Sequence, residues 1–184
     1  MTELSSVIQA LSDGGVIAYP TEAVYGLGCD PDNETAVMAL LAIKQRPVEK
    51  GLILIAADYS QLLPYVDDTA IPQDKRAKIF ASWPGHVSWV LPASTTAPKW
   101  ITGQFDSIAV RVSAHPIVQQ LCRAYGKPLV STSANLSGQP SIADPVELEQ
   151  SLGSLLSAIM PGALGGATQP SQIRNALTGD IVRS

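Results

Sequence analysis

The chain has 184 residues, 46% hydrophobic and 15% charged, with 14 glycines, 14 prolines and a net charge of −4. That length fits one domain, residues 1–184, with an ample core, and so many turn formers exclude a long-helix protein. The acidic total argues against a general nucleic-acid binder, which would be basic, yet leaves room for a local basic site. Cys29 and Cys122 lack C-x-x-C spacing and read as reduced thiols. His86 and His115 stand far apart in sequence, which disfavours zinc. The first fifteen residues carry acids and no basic n-region, and no apolar run approaches the length of a membrane span. A cytoplasmic protein with no membrane role is expected.

In chain order, Leu4, Val7, Ile8 and Leu11 recur at helical spacing over 3–12, and Gly14-Gly15 stops the helix. VIAYP (16–20) reads as a strand, followed by a glycine-spaced turn with Gly26 and Gly28. Val37, Leu40 and Leu41 mark a helix that Pro47 ends. LILIAA (52–57) is a strand apolar on both faces. Residues 72–82 form an exposed helix and 86–92 a strand. In 107–113, Ile108, Val110 and Val112 take one face of a strand, and Ala109, Arg111 and Ser113 the other. Residues 115–127 make a helix with Pro116 near its start and Gly126 at its C-cap. A strand over 128–133, a helix near 144–152, a strand near 155–160 and two terminal strands around Thr178-Gly179-Asp180 complete the reading. Strands that follow one another directly point to a mixed sheet with helices packed on it.

Five stretches could carry chemistry. Thr21 and Glu22 follow a strand; Thr21 is either a ligand contact or a cap. Lys44, Arg46 and Lys50 bring three cations together after a stretch with six acids and no base. They suit a polyphosphate or an RNA backbone, or simply the negative end of a helix dipole. Arg111, mid-strand among apolar neighbours, needs an anionic partner: Glu22, Asp106 or a ligand carboxylate. Ser131, Thr132, Ser133, Asn135 and Ser137 crowd the carboxyl end of a strand, the usual ligand edge of an open α/β sheet, and exceed what a cap and a Ser137-Gly138 turn require. Ser171 and Arg174 lie in PSQIR near the end. There is no Walker A sequence and no G-x-G-x-x-G after a strand.

YPTEAVYGLGCD, KQRP, SIAVRV, STSANLSG and PSQIR, in this order, resemble the YrdC family of threonylcarbamoyl-AMP synthases in its short, single-domain bacterial form. The resemblance spans nearly the whole chain. It implies a three-layer α/β (mixed α+β) domain whose twisted mixed sheet has flanking helices and a wide electropositive concave face. It implies synthesis of threonylcarbamoyl-adenylate and pyrophosphate from L-threonine, bicarbonate and ATP, with Mg²⁺ carried on the ATP. A downstream transferase complex would pass the threonylcarbamoyl group to adenosine 37 of tRNA, and tRNA itself would fit the concave face.

By the same resemblance, Lys44, Arg46 and Lys50 meet nucleotide phosphates, with Ser107, Ser133, Asn135, Ser141 and Arg174 as further ATP contacts. Lys44 and Arg46 are also the expected catalytic pair. Thr21, Arg111 and Ser131 would contact threonine, Arg111 through its carboxylate. The chain departs from common family residues at Gly51 and His86, where proline is frequent, and at Ser88. It also lacks a histidine that many longer members carry near the end of LILIAA. The alternative reading is a non-catalytic binder of tRNA or double-stranded RNA.

Overall fold

Asn33 accepts a 3.1 Å hydrogen bond from the Ala36 amide and so starts a helix, α2 (Glu34–Lys44), whose far end carries the basic cluster. Gln45 closes it in the left-handed region at φ 49°, and its amide and that of Arg46 bond back to Ala42 and Leu41. Lys44 therefore leaves from the last helical turn and Arg46 from the chain just beyond it. In this computed structural model, which describes residues 3–136 and 138–183, most other elements follow the sequence pattern closely.

The helices are α1 (Glu3–Ser12), α2, α3 (Gln73–Ala81), the single-turn α4 (Lys99–Thr102), α5 (Pro116–Tyr125) and α6 (Pro145–Leu152). The strands are β1 (Ile17–Pro20), β2 (Tyr25–Gly28), β3 (Ile53–Ala56), β4 (Val87–Pro92), β5 (Ser107–Val112), β6 (Leu129–Ser133), β7 (Ala158–Ile159), β8 (Gln172–Asn175) and β9 (Ile181–Arg183). All nine lie in one sheet in the order β7-β1-β2-β6-β3-β5-β4-β8-β9. Three parallel pairs (β3 with β5, β4 with β8, β1 with β7) are interspersed among antiparallel ones, which gives the expected mixed sheet.

Two differences from the sequence reading stand out. The stretch read as a glycine turn is a strand, β2, paired with β1 through Tyr19↔Gly26 and Ile17↔Gly28. Gly28 is there for packing: a Cβ would lie 2.4 Å from the Val130 carbonyl oxygen and 2.8 Å from the Tyr19 ring. Tyr19, fully buried, uses that space to donate from its hydroxyl to the same carbonyl at 3.0 Å. The strand expected near 155–160 contracts to two residues behind a short 3-10 turn.

The sheet separates two apolar layers. One face packs Leu40 and Leu41 of α2, Ile79 of α3, Leu148 of α6, and Trp89, Val110 and Val130 from the strands. The other packs Val7 and Leu11 of α1 and Val118 and Leu121 of α5 over Ile17, Tyr19, Ile55 and Leu129. Helices α1 and α5 cover only part of that second face. The same face continues along β3 and β6 to Ile53 and Ser131 and across to Ala109 of β5 and Val90 of β4, which line an open cavity instead of a core.

Candidate active site

The cavity holds about 570 Å³ and is floored by the uncovered half of the sheet. Its walls carry Lys44, Arg46, Lys50, Arg111 and Arg183, and among the described residues no Asp or Glu lines it. A chain with a net charge of −4 thus gathers five of its twelve cations on one concavity. Such a concentration of one sign over low-dielectric walls is an anion site.

Lys44 crosses to the end of β6. Its ammonium donates to the Ser133 carbonyl at 2.8 Å and to the Asn135 carbonyl at 3.2 Å, lies 3.4 Å from the Ser133 hydroxyl, and contacts the Asn135 carboxamide oxygen. Ser133 Oγ donates to that same oxygen at 2.9 Å. The basic cluster and the hydroxyl cluster are therefore one structure. Burial first, and Arg46 second, lower the Lys44 pKa from the ordinary lysine value. Arg46 donates to the Gly51 carbonyl through Nε (3.1 Å) and Nη2 (3.0 Å), which fixes the guanidinium at the rim. Gly51 adopts φ 75°, a conformation closed to proline, and a Cβ there would approach the Thr102 carbonyl at 3.1 Å. Lys50 is exposed at the mouth, and Ser107 opens β5 on the same wall.

Arg111 is 5% exposed. Of the three partners its burial allowed, the structure supplies Glu22: Nη1 meets Glu22 Oε2 at 3.0 Å. The same nitrogen donates to His86 Nδ1 at 3.1 Å. Its Nε and Nη2 donate to none of the described residues and remain for a ligand. Burial would raise the Glu22 pKa, but Arg111 and hydrogen bonds from its own amide and Ser113 hold it below the usual carboxylate range. Glu22 Oε1 is buried without a partner among the described residues. Thr21 lines the cavity, but its hydroxyl proton goes to the Val24 carbonyl at 2.6 Å, so its lone pairs alone are free to accept. Ser131 lines the floor two residues before Ser133.

The expected residues do not all converge. In β8, Ile173 and Asn175 face the cavity; Arg174 faces the other way, its guanidinium 5.8 Å from the Trp89 ring centroid and its Nε bonded to Gln172. Ser141 is exposed and outside the lining. The cation that does reach this wall is Arg183 of β9, which donates to the Ser171 carbonyl at 3.0 and 2.9 Å and to its hydroxyl at 3.1 Å. The sequence reading left Arg183 and His86 out of the site. Nothing local marks Arg183, whereas His86 was visible as a departure from the family pattern. Ser137 lies outside the described residues.

An irregular segment, 161–170, straps the end of the cavity near Thr21. The Gly165 amide bonds to the Thr21 carbonyl at 3.0 Å, and the Ala167 amide to the Glu22 carbonyl at 2.8 Å. His115 Nε2 meets the Ala163 carbonyl at 2.9 Å, and His86 Nε2 meets that of Gln169 at 2.7 Å.

An open mixed sheet with a cationic, hydroxyl-lined cavity at its uncovered face defines a protein with a site for anions. The family model described as "Telomere recombination", the Sua5/YciO/YrdC domain, matches residues 9–184. The chain belongs to that family. It is 58% identical over 180 residues to the threonylcarbamoyl-AMP synthase of Pseudoalteromonas translucida, covering 98% of this chain and 96% of that one. Against the synthase of Yersinia enterocolitica the identity is 62%, with coverage of 98% and 94%. The crystal structure of P. abyssi Sua5 complexed with L-threonine superimposes with a TM-score of 0.86 at 31% identity. That match covers 94% of this chain and 50% of the longer P. abyssi one.

Proposed function

We propose that this chain is a threonylcarbamoyl-AMP synthase, a nucleotidyltransferase that joins L-threonine, bicarbonate and ATP into threonylcarbamoyl-adenylate and pyrophosphate. The observation that carries the reading is the convergence of Lys44, Ser133, Arg111 and Ser131 on one cavity, in a chain 58% identical over almost its whole length to a relative of that name. The reaction begins when the threonine amine adds to bicarbonate and water leaves, which forms an N-carboxylate. A carboxylate oxygen then attacks the α-phosphorus in line, the bond to the bridging oxygen breaks, and pyrophosphate departs.

The nucleophile is already an anion, so the protein needs no strong general base. Its task is to position two anions together and neutralise their charge. Arg111 presents Nε and Nη2 to the threonine carboxylate as a fork. Lys44, Arg46 and Lys50 face the phosphates, and Lys44, already sharing one ammonium among several oxygens, can exchange one of them for a phosphate oxygen. Ser133 and Asn135 orient the adenylate, and Ser107 contributes a further nucleotide contact. Phe105, an exposed ring on the same lining, offers a stacking surface for the base.

The residues do not form a protein cage for Mg²⁺. Among the described residues no three His, Cys, Asp or Glu side chains cluster to hold a metal, and the Glu22 carboxylate is committed to Arg111. In this reading Mg²⁺ comes as part of the substrate, carried on the triphosphate. The mixed anhydride product is reactive and requires an acceptor; tRNA adenosine 37, reached through a separate transferase complex, is the acceptor this reading implies. No helix among the described residues is long and apolar enough to cross a membrane.

The test is pyrophosphate release with threonine, bicarbonate and ATP, each omitted in turn. Release that needs all three supports the reading. Release independent of threonine, or salt-sensitive RNA binding with no release at all, contradicts it.

A further inference from the structure

His86 touches both Arg111 and the strap, and its two ring nitrogens have different duties. Nδ1 lies 3.1 Å from Arg111 Nη1, which can only donate, so Nδ1 must be unprotonated. Nε2 lies 2.7 Å from the Gln169 carbonyl, which can only accept, so Nε2 must carry the proton. The neutral Nε2–H tautomer is the one that satisfies both neighbours. Arg111 Nη1 has two protons, one for Glu22 and one for His86, and both are used. That arrangement anchors the guanidinium through Nη1 and leaves Nε and Nη2 of this lining residue to a ligand. The same ring ties the guanidinium to segment 161–170, which also bonds to the backbones of Thr21 and Glu22.

We propose that His86 is a positioning residue for the threonine subsite: in its neutral tautomer it sets the Arg111 fork and pins the strap at residue 169. The proposal rests on the reading of Arg111 as the threonine carboxylate contact. The charged groups that bear on the ring are Arg111 from β5, Glu22 behind it, and Arg183 of β9, close enough to Arg111 for their charges to interact. Protonation of Nδ1 would turn an acceptor into a second cation facing Arg111. The hydrogen bond would be lost, and Glu22 alone would hold the guanidinium. Threonine should bind to the form with neutral His86 and be disfavoured by the charged one.

The experiment is calorimetric titration of the full chain with L-threonine, without bicarbonate or ATP, at about pH 7.5 and about pH 5.5, the interval in which histidine commonly changes charge. Wild-type Kd should be clearly higher at the lower pH, because protonation of Nδ1 removes the acceptor that Arg111 uses. His86→Asn keeps an acceptor without a titrating ring and should change less than about twofold between the two conditions, within ordinary binding differences. His86→Ala should bind more weakly at both.

A second readout needs no ligand. In ¹H–¹⁵N correlation spectra, with His86 assigned by its absence from the His86→Asn protein, the ring should be the Nε2–H tautomer near neutral pH. A wild-type Kd indifferent to pH, an Asn variant that keeps the pH dependence, an Ala variant that binds as wild type, or a proton on Nδ1 would each overturn the proposal. If wild-type protein binds no threonine at either pH, the functional reading itself fails and this one with it.

Discussion

The Lys44 ammonium lies 2.8 Å from the Ser133 carbonyl, although 89 residues separate them in the chain. This contact welds the end of α2 to the end of β6 and makes a single cradle from two motifs. Lys44→Ala should therefore cost more than a solvent-exposed lysine would. Removing one partner of a desolvated charge contact typically costs about 2–5 kcal/mol, or roughly 30- to several-thousand-fold in rate. In steady-state pyrophosphate release, the loss should appear in kcat/KM for ATP, with a smaller change in the threonine requirement. Arg111→Ala should show the opposite split, raising the threonine KM first.

Arg183 and Arg174 offer a contrast that strand geometry dictates. Arg174 shares a face with Trp89, away from the cavity, whereas Arg183 lines it and holds Ser171. Arg183→Ala should reduce kcat/KM at least about tenfold, the loss of one charge-assisted contact. Arg174→Ala should stay within about twofold, as a surface substitution does. Equal losses in both variants would show that β8 presents its other face to the substrates.

Glu22 links stability to pH. Its folded pKa is depressed, so its contribution is complete above the ordinary unfolded value of about 4.3 and disappears as the pH falls through the lower folded value. Glu22→Gln leaves the buried Arg111 without a countercharge and should lower stability near neutral pH by about 1–3 kcal/mol. The variant should also lose stability less steeply than wild type as the pH drops below about 4.3, because the titrating group is gone. Urea denaturation across that range checks both points.

Gly28→Ala tests the packing account of β2. The new Cβ would lie 2.4 Å from a backbone oxygen that cannot swing aside. The expected cost is about 1–3 kcal/mol, a Tm lower by roughly 3–10 °C. A variant as stable as wild type would mean that the glycine is there for another reason.

Much of this architecture was legible because burial imposes a period. The stripe of Val37, Leu40 and Leu41 located α2, and the alternation around Arg111 located β5 and the face from which the guanidinium projects. Strand β2 was hidden: YGLG carries two glycines, which read as a turn when no partner is known. Their reason for being there, the Tyr19 ring and the Val130 carbonyl, comes from β1 and from a residue more than a hundred positions away. Helix α4, with a single turn, is too short to show a period. Arg174, expected as a nucleotide contact, faces away from the cavity, and strand pairing decides the face it takes. A one-residue difference in a strand moves a side chain to the opposite face, and only the pairing of Trp89 with Arg174 settles which face that is. Motif order located the cavity; it could not say that Arg111 already holds Glu22 and His86.

The most direct measurement is a crystal structure of the protein with L-threonine and a non-hydrolysable ATP analogue. Threonine should place its carboxylate on Arg111 and its amine towards the α-phosphate, with phosphate oxygens against Lys44 and Arg46 and the adenylate beside Ser133. Nucleotide and amino acid bound apart from one another, or outside the uncovered sheet face, would contradict the account.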